Sequence, residues 1–491
     1  MKGAVLFLGF CFLFSLAPAA AEDDFGFGFS GEEDGAAGSS VVGSSVKIGG
    51  KVQAEFLGYV DAFNSFSQLK NMKPGNVFSG KLNFSASGSA ADGVVNLNLA
   101  PDFEKGASPL SIDEAYVRAY FGPLSVEGGL RKLTWGKADS FGPLDVINPL
   151  DYSDLSGISA PRNLKIPRPM IRVSYGFGSF TKAEALFVPW FWGHRFAGSG
   201  SRWAPAEVRD LPQTIQAALV PVILNLPAPY DPLQVQQKIR EVLNQETLET
   251  LYADDPALLT LGYAQGGLRL TTTLGVSDLG FQYFYGNLPR PALNLKGIAA
   301  FLGEPRGFID GNKYETLRPE INYNRYHQIG VDYARVIGGF NLRLELAANI
   351  TGDLSGDQGD VYNPFLAWSA GFDRDLTGGI AMNLQVNESI RLFQNKIGKT
   401  VFTDIEAGKD RTSTRLTLIL SKKLLRDELE LKASVLWGIE DRDFYLIPAL
   451  IWTREDVGVE LSGGFFGGDK KGELGQYRDN GFIKVLLSYS F

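Results

Sequence analysis

The chain has few of the residues that usually carry catalysis or metal binding. Its 491 residues include 1 cysteine, 4 methionines and 2 histidines. Because Cys11 is the only cysteine, disulfides and thiol chemistry are excluded for the rest of the chain. His194 and His327 stand in neither a G-x-S-x-G nor an H-E-x-x-H context, and the sequence has no phosphate loop, dinucleotide fingerprint or metal-ligand cluster. It therefore predicts no enzyme and no cofactor, with both histidines solvated or in an interfacial girdle.

Long apolar runs are also scarce. The one present follows Met1-Lys2 over residues 4–16, and small residues ending at Ala21 separate it from acidic Glu22. This order predicts a secretory signal peptide over 1–21, cleaved after Ala21. No later apolar run reaches the roughly 18 residues that a membrane-spanning helix requires, so no such helix is predicted.

The charge balance excludes one class of partner. The formal net charge is −8, which argues against nucleic acid. Residues 22–45 are rich in glycine, serine and acidic residues, a composition typical of a flexible segment. We expect them to form a flexible periplasmic lead-in to the folded part of the chain.

What the sequence does contain is polar and apolar residues in strict alternation. In 341–349, for example, Leu342, Leu344 and Leu346 alternate with Arg343 and Glu345. Eighteen such strands are predicted, at 46–60, 77–89, 92–104, 111–121, 123–134, 168–178, 180–190, 265–275, 277–287, 325–337, 340–350, 363–374, 378–392, 411–422, 427–439, 441–453, 456–467 and 481–491.

The connections between these strands indicate how they are arranged. Every second connection is short, as at Gly122 and Gly338-Gly339, and those between are mostly longer. Short turns on one rim and long loops on the other are typical of outer-membrane barrels. Both termini fall on the short-turn side, so the strand number must be even. The prediction is an all-β, transmembrane, antiparallel up-and-down β-barrel over 46–491 with about 18 strands, with 16 as the alternative.

Cross-strand charges test the predicted registers. Across Gly122-Pro123, Arg118 is expected opposite Glu127, a favourable pair. Across Gly338-Gly339, Asp332 is expected opposite Glu345. That second pair is unfavourable unless Arg343 lies between the two carboxylates.

The last strand carries a resemblance to a known class. Leu487, Tyr489 and the terminal Phe491 lie on one face. This ending resembles the assembly signal of outer-membrane barrels. It implies two partners, the barrel-assembly machinery and outer-membrane lipid.

A second resemblance follows the fifth predicted strand. Trp135-Gly136, Asp139, Asn148-Pro149 and Asp151 form a WGxxD…NPxD segment similar to that of porin-like outer-membrane families of Gram-negative bacteria. The loop after the fifth strand of general porins folds into the lumen and narrows it. By that resemblance, residues 136–167 are the candidate constriction loop.

Charged residues at this level are the candidate selectivity groups, since a constriction selects solutes by opposing charges. The predicted lumen-facing cations are Arg118, Arg131, Lys132, Arg172, Arg269, Arg343, Arg391 and Arg415. The aspartates expected to face them across the gap are Asp139, Asp145, Asp151 and Asp154. In the alternative interpretation, these charges pair with one another and stabilise the barrel wall.

Residues 205–253 depart from the strand pattern. Asp231-Pro232 is a helix start, and Val235, Ile239 and Val242 follow at helical spacing. We predict a helical insertion in an extracellular loop. It either covers the outer mouth, folds inward or packs as a surface excrescence.

The leading functional hypothesis is an outer-membrane channel or porin for small solutes. One alternative is a transporter of hydrophobic compounds, either lipid or fatty-acid-like, and another is a surface structural or adhesion barrel. An outer-membrane hydrolase ranks last because of the two isolated histidines. A homo-oligomer remains open, since alternation alone does not reveal a flat apolar outer face.

Overall fold

The barrel wall is formed by strands that follow one another in sequence. In the computed structural model, which describes residues 45–60, 78–100, 110–157, 161–243, 258–397 and 404–491, each strand pairs antiparallel with the next. The strands are β1 Ser45–Tyr59, β2 Phe78–Ser87, β3 Ala91–Leu99, β4 Leu110–Phe121, β5 Leu124–Arg131, β6 Arg168–Phe177, β7 Thr181–Val188, β8 Gln265–Leu274, β9 Ser277–Asn287, β10 Arg325–Ile337, β11 Phe340–Thr351, β12 Phe365–Leu376, β13 Ile380–Arg391, β14 Thr412–Leu424, β15 Leu429–Gly438, β16 Asp443–Arg454, β17 Val457–Gly468 and β18 Phe482–Ser490.

The sheet closes on itself. Strand β18 pairs with β1 in a register that runs from Lys51 opposite Ser490 to Tyr59 opposite Phe482. The prediction of an 18-stranded antiparallel barrel is therefore confirmed, and the alternative of 16 strands is wrong. The predicted signal peptide, residues 22–44 of the lead-in and residues 244–257 lie outside the described residues.

The two faces of the wall differ in the way that the alternation predicts. Along β10, Gln328 and Asp332 point inward and are 1% and 2% exposed, whereas Ile329 and Val331 point outward and are 55% and 38% exposed. A soluble sheet buries its apolar face, but this barrel presents that face to its surroundings. The arrangement suits an apolar solvent outside and polar contents inside.

The rims are unequal, as predicted. Short turns join β2 to β3, β4 to β5, β10 to β11 and the other hairpins of one rim, which we call the short-turn rim. At Gly338 and Gly339, φ is 59° and 83°, a tight turn that favours glycine at both positions. The long loops lie on the opposite, long-loop rim.

Both predicted cross-strand registers are present. Arg118 lies opposite Glu127, and Asp332 lies opposite Glu345. The two acidic residues are not bridged by Arg343, which binds Asp139 and Asp373 instead. Each carboxylate has other partners, which are described below.

Helices are confined to the connections. They are α1 Leu211–Leu224, α2 Pro232–Val242, α3 Lys296–Gly303 and α4 Pro305–Asp310, with single turns at Pro161–Leu164 and Ala206–Arg209 and 3-10 turns at Leu155–Gly157, Leu261–Tyr263, Tyr314–Leu317, Gln394–Lys396 and Gly475–Tyr477. Two short pairings are separate from the barrel sheet, Ala292–Asn294 with Glu320–Asn322 and Asp151–Tyr152 with Arg195–Phe196. No helix in the described part of the chain is long and apolar enough to cross a membrane.

The predicted helical insertion packs against a second loop. Helix α2 starts as expected, with the Asp231 side chain accepting a hydrogen bond from the Leu233 amide at 2.9 Å. Helix α1 continues through Pro221. Buried side chains of α1 and α2, such as Leu219 and Ile239, share one apolar core with Ile298 of α3. We call this two-loop unit, residues 205–243 and 292–317, the helical cap.

The cap core provides a first prediction. Leu219 is 2% exposed and Leu233 is 74% exposed, although both are cap leucines. Leu219→Ala should cost the cap about 2–5 kcal/mol through lost burial and a cavity, so limited proteolysis of the cap should accelerate while the barrel stays folded. Leu233→Ala is the matched control and should change little. Equal proteolysis of the two variants would show that the cap does not depend on this core.

Candidate functional site

A belt of paired charges lines the inner wall from β4 to β8. Arg118 binds Glu127 at 2.9 Å, and Glu127 lies opposite Arg172 on the next strand. The Arg172 Nε lies 3.0 Å from Glu184, which in turn lies opposite Arg269. These strands thus alternate cation and anion, and each charge of this series has a partner of opposite sign.

The belt continues to β10 through a salt bridge that passes across β9. Arg269 binds Asp332 at 2.6 Å, although β9 lies between their two strands. Gly280 of β9 makes this possible, because a Cβ at that position would clash with the Asp332 carboxylate. Gln282, also on β9, accepts a further hydrogen bond from Arg269 at 2.6 Å.

A β-bulge in β4 lies beside the end of β5. The register between β3 and β4 shifts at Asn96, which leaves Asp113 as the extra residue. The Asp113 carboxylate lies 2.5 Å from the Lys132 ammonium, and Glu114 accepts a hydrogen bond from the Lys132 amide at 2.9 Å. Lys132 is therefore held at both its backbone and its side chain where the chain leaves the wall.

Residues 132–157 and 161–167, which we call the inward loop, turn into the lumen from this point. Asn148 ties the base of the loop: its side chain accepts from the Leu133 amide at 2.8 Å and donates to the carbonyls of Arg131 at 3.0 Å and Ile166 at 2.9 Å. The Asn148 side chain thus joins the start of the loop to its end.

The loop docks onto the wall chiefly through Glu345 of β11. Its carboxylate accepts hydrogen bonds from the amides of Lys137, Ala138 at 2.7 Å and Leu144 at 3.2 Å. Gly136, with φ of 101°, approaches so closely that a Cβ there would clash with this carboxylate. The anchor therefore binds backbone, and it depends on a glycine at the loop side.

Further contacts on β11 and β13 extend the docking surface. Asp139 binds Arg343 of β11 and accepts a hydrogen bond from Asn383 of β13 at 2.7 Å. Gln385 of β13 accepts from the amides of Asp139 at 2.9 Å and Ser140 at 3.2 Å. Since the loop starts at β5, these contacts require it to cross the lumen.

Two glutamines of the wall also bind the backbone of the inward loop. Gln282 of β9 donates to the Leu144 carbonyl, and Gln328 of β10 donates to the Pro143 carbonyl, both at 3.0 Å. Loop carbonyls and amides that have turned away from water are thereby satisfied by wall side chains.

The second half of the loop meets an apolar part of the wall. Leu155 packs in a cluster with Tyr445 of β16, Phe466 of β17 and Phe482 of β18. Trp203, from the loop between β7 and β8, covers the same surface and lies 5.6 Å from Phe466 between ring centroids. The inward loop therefore contacts two separate sectors of the wall, one polar and one apolar.

His194 joins the inward loop to the loop that carries the cap. Its Nδ1 accepts a hydrogen bond from the Leu150 amide at 2.8 Å. Burial, with the nearby positive charge of Arg290, lowers the pKa of His194 to about 3, so its imidazole is neutral at pH 7. The side chain is half-buried, with its ring 5.2 Å from that of Tyr152. His327 does lie on the outward face, beside Tyr283.

Each predicted pore residue has a partner in the structure. The candidate cations of the wall and of the start of the inward loop form salt bridges: Arg118 and Arg131 with Glu127, Lys132 with Asp113, Arg172 with Glu184, Arg269 with Asp332, and Arg343 with Asp139 and Asp373. Pairs with long-loop residues join Arg391 to Glu406 and Arg415 to Glu473. Within the loops, Asp145 binds Lys165 at 2.7 Å, Asp151 binds Arg195 at 2.8 Å, and Asp154 accepts from the Ser156 amide at 2.8 Å.

The expected opposition of aspartates and arginines is thus seen at Asp139 and Arg343. Asp145 and Asp154 instead have partners within the inward loop, because a short side chain reaches donors of its own segment first. Asp151 binds Arg195 of the loop between β7 and β8. Burial raises the pKa of Asp145, and its pairing with Lys165 opposes that shift.

The sequence does not identify several of the wall residues that bind the loop. Glu345, Gln282, Gln328 and Gln385 all lie on the polar face of predicted strands, but their binding partner is loop backbone. Alternation identifies such residues as inward-facing. It gives no sign that a distant loop will reach them.

Removing the anchor at Glu345 should release the loop. Glu345→Ala leaves loop amides unpaired, at about 1–3 kcal/mol for each one that stays buried. Cys11 is the only native cysteine, so a cysteine introduced at Ser140, which is 4% exposed, can report on the loop. Maleimide labelling of Ser140→Cys should accelerate at least about tenfold in the Glu345→Ala background. Glu430→Ala, at an inward carboxylate opposite Lys423, is the control and should leave labelling slow. Similar rates in both would contradict the anchor role.

The His194 contact should weaken in acid. The pKa of His194 is depressed in the folded state, so the contact is fully stable above the unfolded pKa near 6.5 and is lost progressively as pH falls towards 3. Deuterium exchange over residues 145–155, corrected for intrinsic rates, should therefore rise between pH 7 and pH 4. In His194→Gln, whose side chain does not titrate, the corrected exchange should rise much less than in the wild type. A wild-type profile no steeper than that of the variant would contradict the assignment.

Comparison with known proteins places the chain in a family. No curated protein matches it. Among solved structures, it is similar to OpdK of Pseudomonas aeruginosa with vanillate (8% identity, TM-score 0.45) and to the outer membrane channel DcaP of Acinetobacter baumannii (10% identity, TM-score 0.40), in each case over 91% of this chain and 98% of the other. OmpF of Salmonella typhi in complex with daunomycin is similar over the same shares, with 8% identity and a TM-score of 0.39. Residues 44–420 match the family model described as "Protein of unknown function (DUF1302)", and the chain belongs to that family.

Proposed function

We propose that the chain forms a passive channel for small solutes in the outer membrane of a bacterium, with the inward loop as its constriction. The observation that carries the proposal is the docking of this loop from β5 across to Glu345 and Gln385. A segment held across a lumen limits the size of what passes beside it. The charges around it then act on the solute.

The two faces of the wall support a channel. Outward side chains such as Ile329 are apolar, which suits lipid, while inward side chains are polar. A closed barrel of 18 strands encloses a lumen wide enough for water when loops leave it open. At β2, inward-facing Lys81 and Asn83 are exposed, so part of this wall is not covered by other described residues.

A carrier of hydrophobic compounds is the second candidate. The inner surface formed by Tyr445, Phe466 and Phe482 favours it, since an apolar solute would bind there once uncovered. Leu155 and Trp203 occupy that surface in this structure. Such a carrier must therefore move both loops, whereas a channel for polar solutes uses the wall as it stands.

Planar-bilayer recording tests the proposal. The purified barrel should conduct ions, and replacing residues 137–144 with a short Gly-Ser linker should raise the single-channel conductance, since that segment crosses the lumen. The expected change is at least about twofold. The same replacement at residues 354–358, in the loop between β11 and β12, should leave conductance unchanged. A barrel that forms no channels, or that carries co-purified lipid and no ion current, would overturn the channel and favour the carrier.

A further inference from the structure

The outward face of the barrel is not uniform near the short-turn rim. On β2, β4, β6 and β8, the last two outward positions before the rim are uncharged, and they end at Ala86, Phe121, Phe177 and Leu274. On β10, β12, β14 and β16, one of these two positions is basic, and the residues are Arg335, Arg374, Lys422 and Arg454. The rim from β10 to β16 therefore presents cations to the surroundings of the barrel, whereas these positions on β2 to β8 carry none.

The turns beside Arg335 and Arg374 contain no acidic residue. They are Gly338-Gly339 after β10 and Thr377-Gly378-Gly379 after β12. The turn after β14, which also adjoins β16 through a hydrogen bond from the Thr453 amide, contains Asp427 and Glu428. Those two carboxylates offset the charges of Lys422 and Arg454, so the pair of arginines on β10 and β12 is the more positive part of this rim.

The acidic residues of the strands around the two arginines point away from them. Asp278, Asp373 and Asp375 lie on the inner face, where Asp278 and Asp373 have partners of their own. Both arginine side chains are exposed, and neither Arg335 nor Arg374 forms a salt bridge with another described residue. Their charges are therefore available to a ligand outside the barrel.

An aromatic surface lies between the two arginines. Phe340 starts β11, the strand between them, and the Arg374 Cζ lies 4.3 Å from the centroid of its ring. The ring of Phe372 lies 5.3 Å from that of Phe340 between centroids. On the other side, Arg335 is directly opposite Leu342, the next outward residue of β11. The guanidinium groups thus stand on either side of an apolar, outward-facing patch.

The same aromatic residues indicate the depth of this patch in a membrane. Aromatic side chains of transmembrane barrels concentrate at the two membrane interfaces. Tyr333, on the outward face of β10, accepts a hydrogen bond from the Arg335 side chain, as a residue at such an interface does. Cations at this level meet lipid phosphates, and a planar guanidinium group binds a phosphate through paired hydrogen bonds.

We propose that Arg335 and Arg374, with the Phe340 ring between them, bind an anionic phospholipid of the bilayer leaflet at the short-turn rim. The arginines bind the phosphate, and Phe340 and Phe372 contact the start of an acyl chain. A zwitterionic lipid carries its own cation, so two arginines without salt bridges favour a lipid with a net negative charge. The site lies outside the lumen, so a barrel that passes no solute would still bind the lipid.

The test is native mass spectrometry of the full-length barrel, titrated in detergent with phosphatidylglycerol or with phosphatidylcholine of the same acyl chains. The wild type should bind the first phosphatidylglycerol at least about tenfold more tightly, because each arginine near the headgroup strengthens the attraction about fivefold. Arg335→Gln and Arg374→Gln should each reduce this preference about fivefold, and the double variant should abolish it. Arg374→Lys, which keeps the charge, should retain most of it.

Arg306→Gln is the matched control. Arg306 is an exposed arginine of α4 in the helical cap, so the same charge is removed far from the short-turn rim and the preference should remain. Circular dichroism should show an unchanged barrel in every variant, since the replaced side chains are exposed. Equal affinity of the wild type for the two lipids, or a double variant that keeps the preference, would overturn the lipid site and leave the channel proposal unaffected.

Discussion

The Glu345 carboxylate is the contact on which the arrangement of the lumen depends. It stands on a wall strand, faces another acid at Asp332, and is satisfied by backbone amides of a loop that begins six strands away. A carboxylate at such a site is stable only while those amides stay in place, and the amides are satisfied only while the carboxylate is there. The strand and the loop therefore fix each other.

The inner wall consists of sectors that differ in the partners of their inward-facing side chains. From β4 to β10, wall residues satisfy one another through the belt, with Gly280 opening the way for Arg269 to reach Asp332. From β9 to β13, the loop supplies the missing partners. From β15 to β18, the inner surface is apolar at Tyr445 and Phe466, and loop residues cover it. Leu57 and Tyr59 of β1 pack against the same cluster. Further along β1 and β2, Lys47 and Lys81 are exposed.

The sequence is informative wherever a contact lies between neighbouring strands. Alternation predicts the strands and their number, and turn position predicts Arg118 opposite Glu127. Helical spacing and the Asp231 cap predict α2. These features depend on residues close in sequence or paired by one turn. The partners of Glu345 and Leu150 depend on the path of a loop across the lumen, which no local period encodes. For the same reason, the half-buried, neutral state of His194 could not be predicted.

Arginine and lysine have different environments in this wall because their charged groups differ in shape and hydration. The guanidinium group is planar and makes several directed hydrogen bonds, so Arg269 and Arg343 each hold more than one partner in a buried wall. A cation held in that way has little freedom to meet a passing solute. Lysine is more strongly hydrated and more flexible, and at Lys81 it is exposed to the lumen. Composition alone hides this distinction, because 47 basic and 55 acidic residues give only a net negative charge. What decides the electrostatics of a path through the barrel is which cations remain in contact with water, and in the described wall of β1 and β2 those cations are lysines.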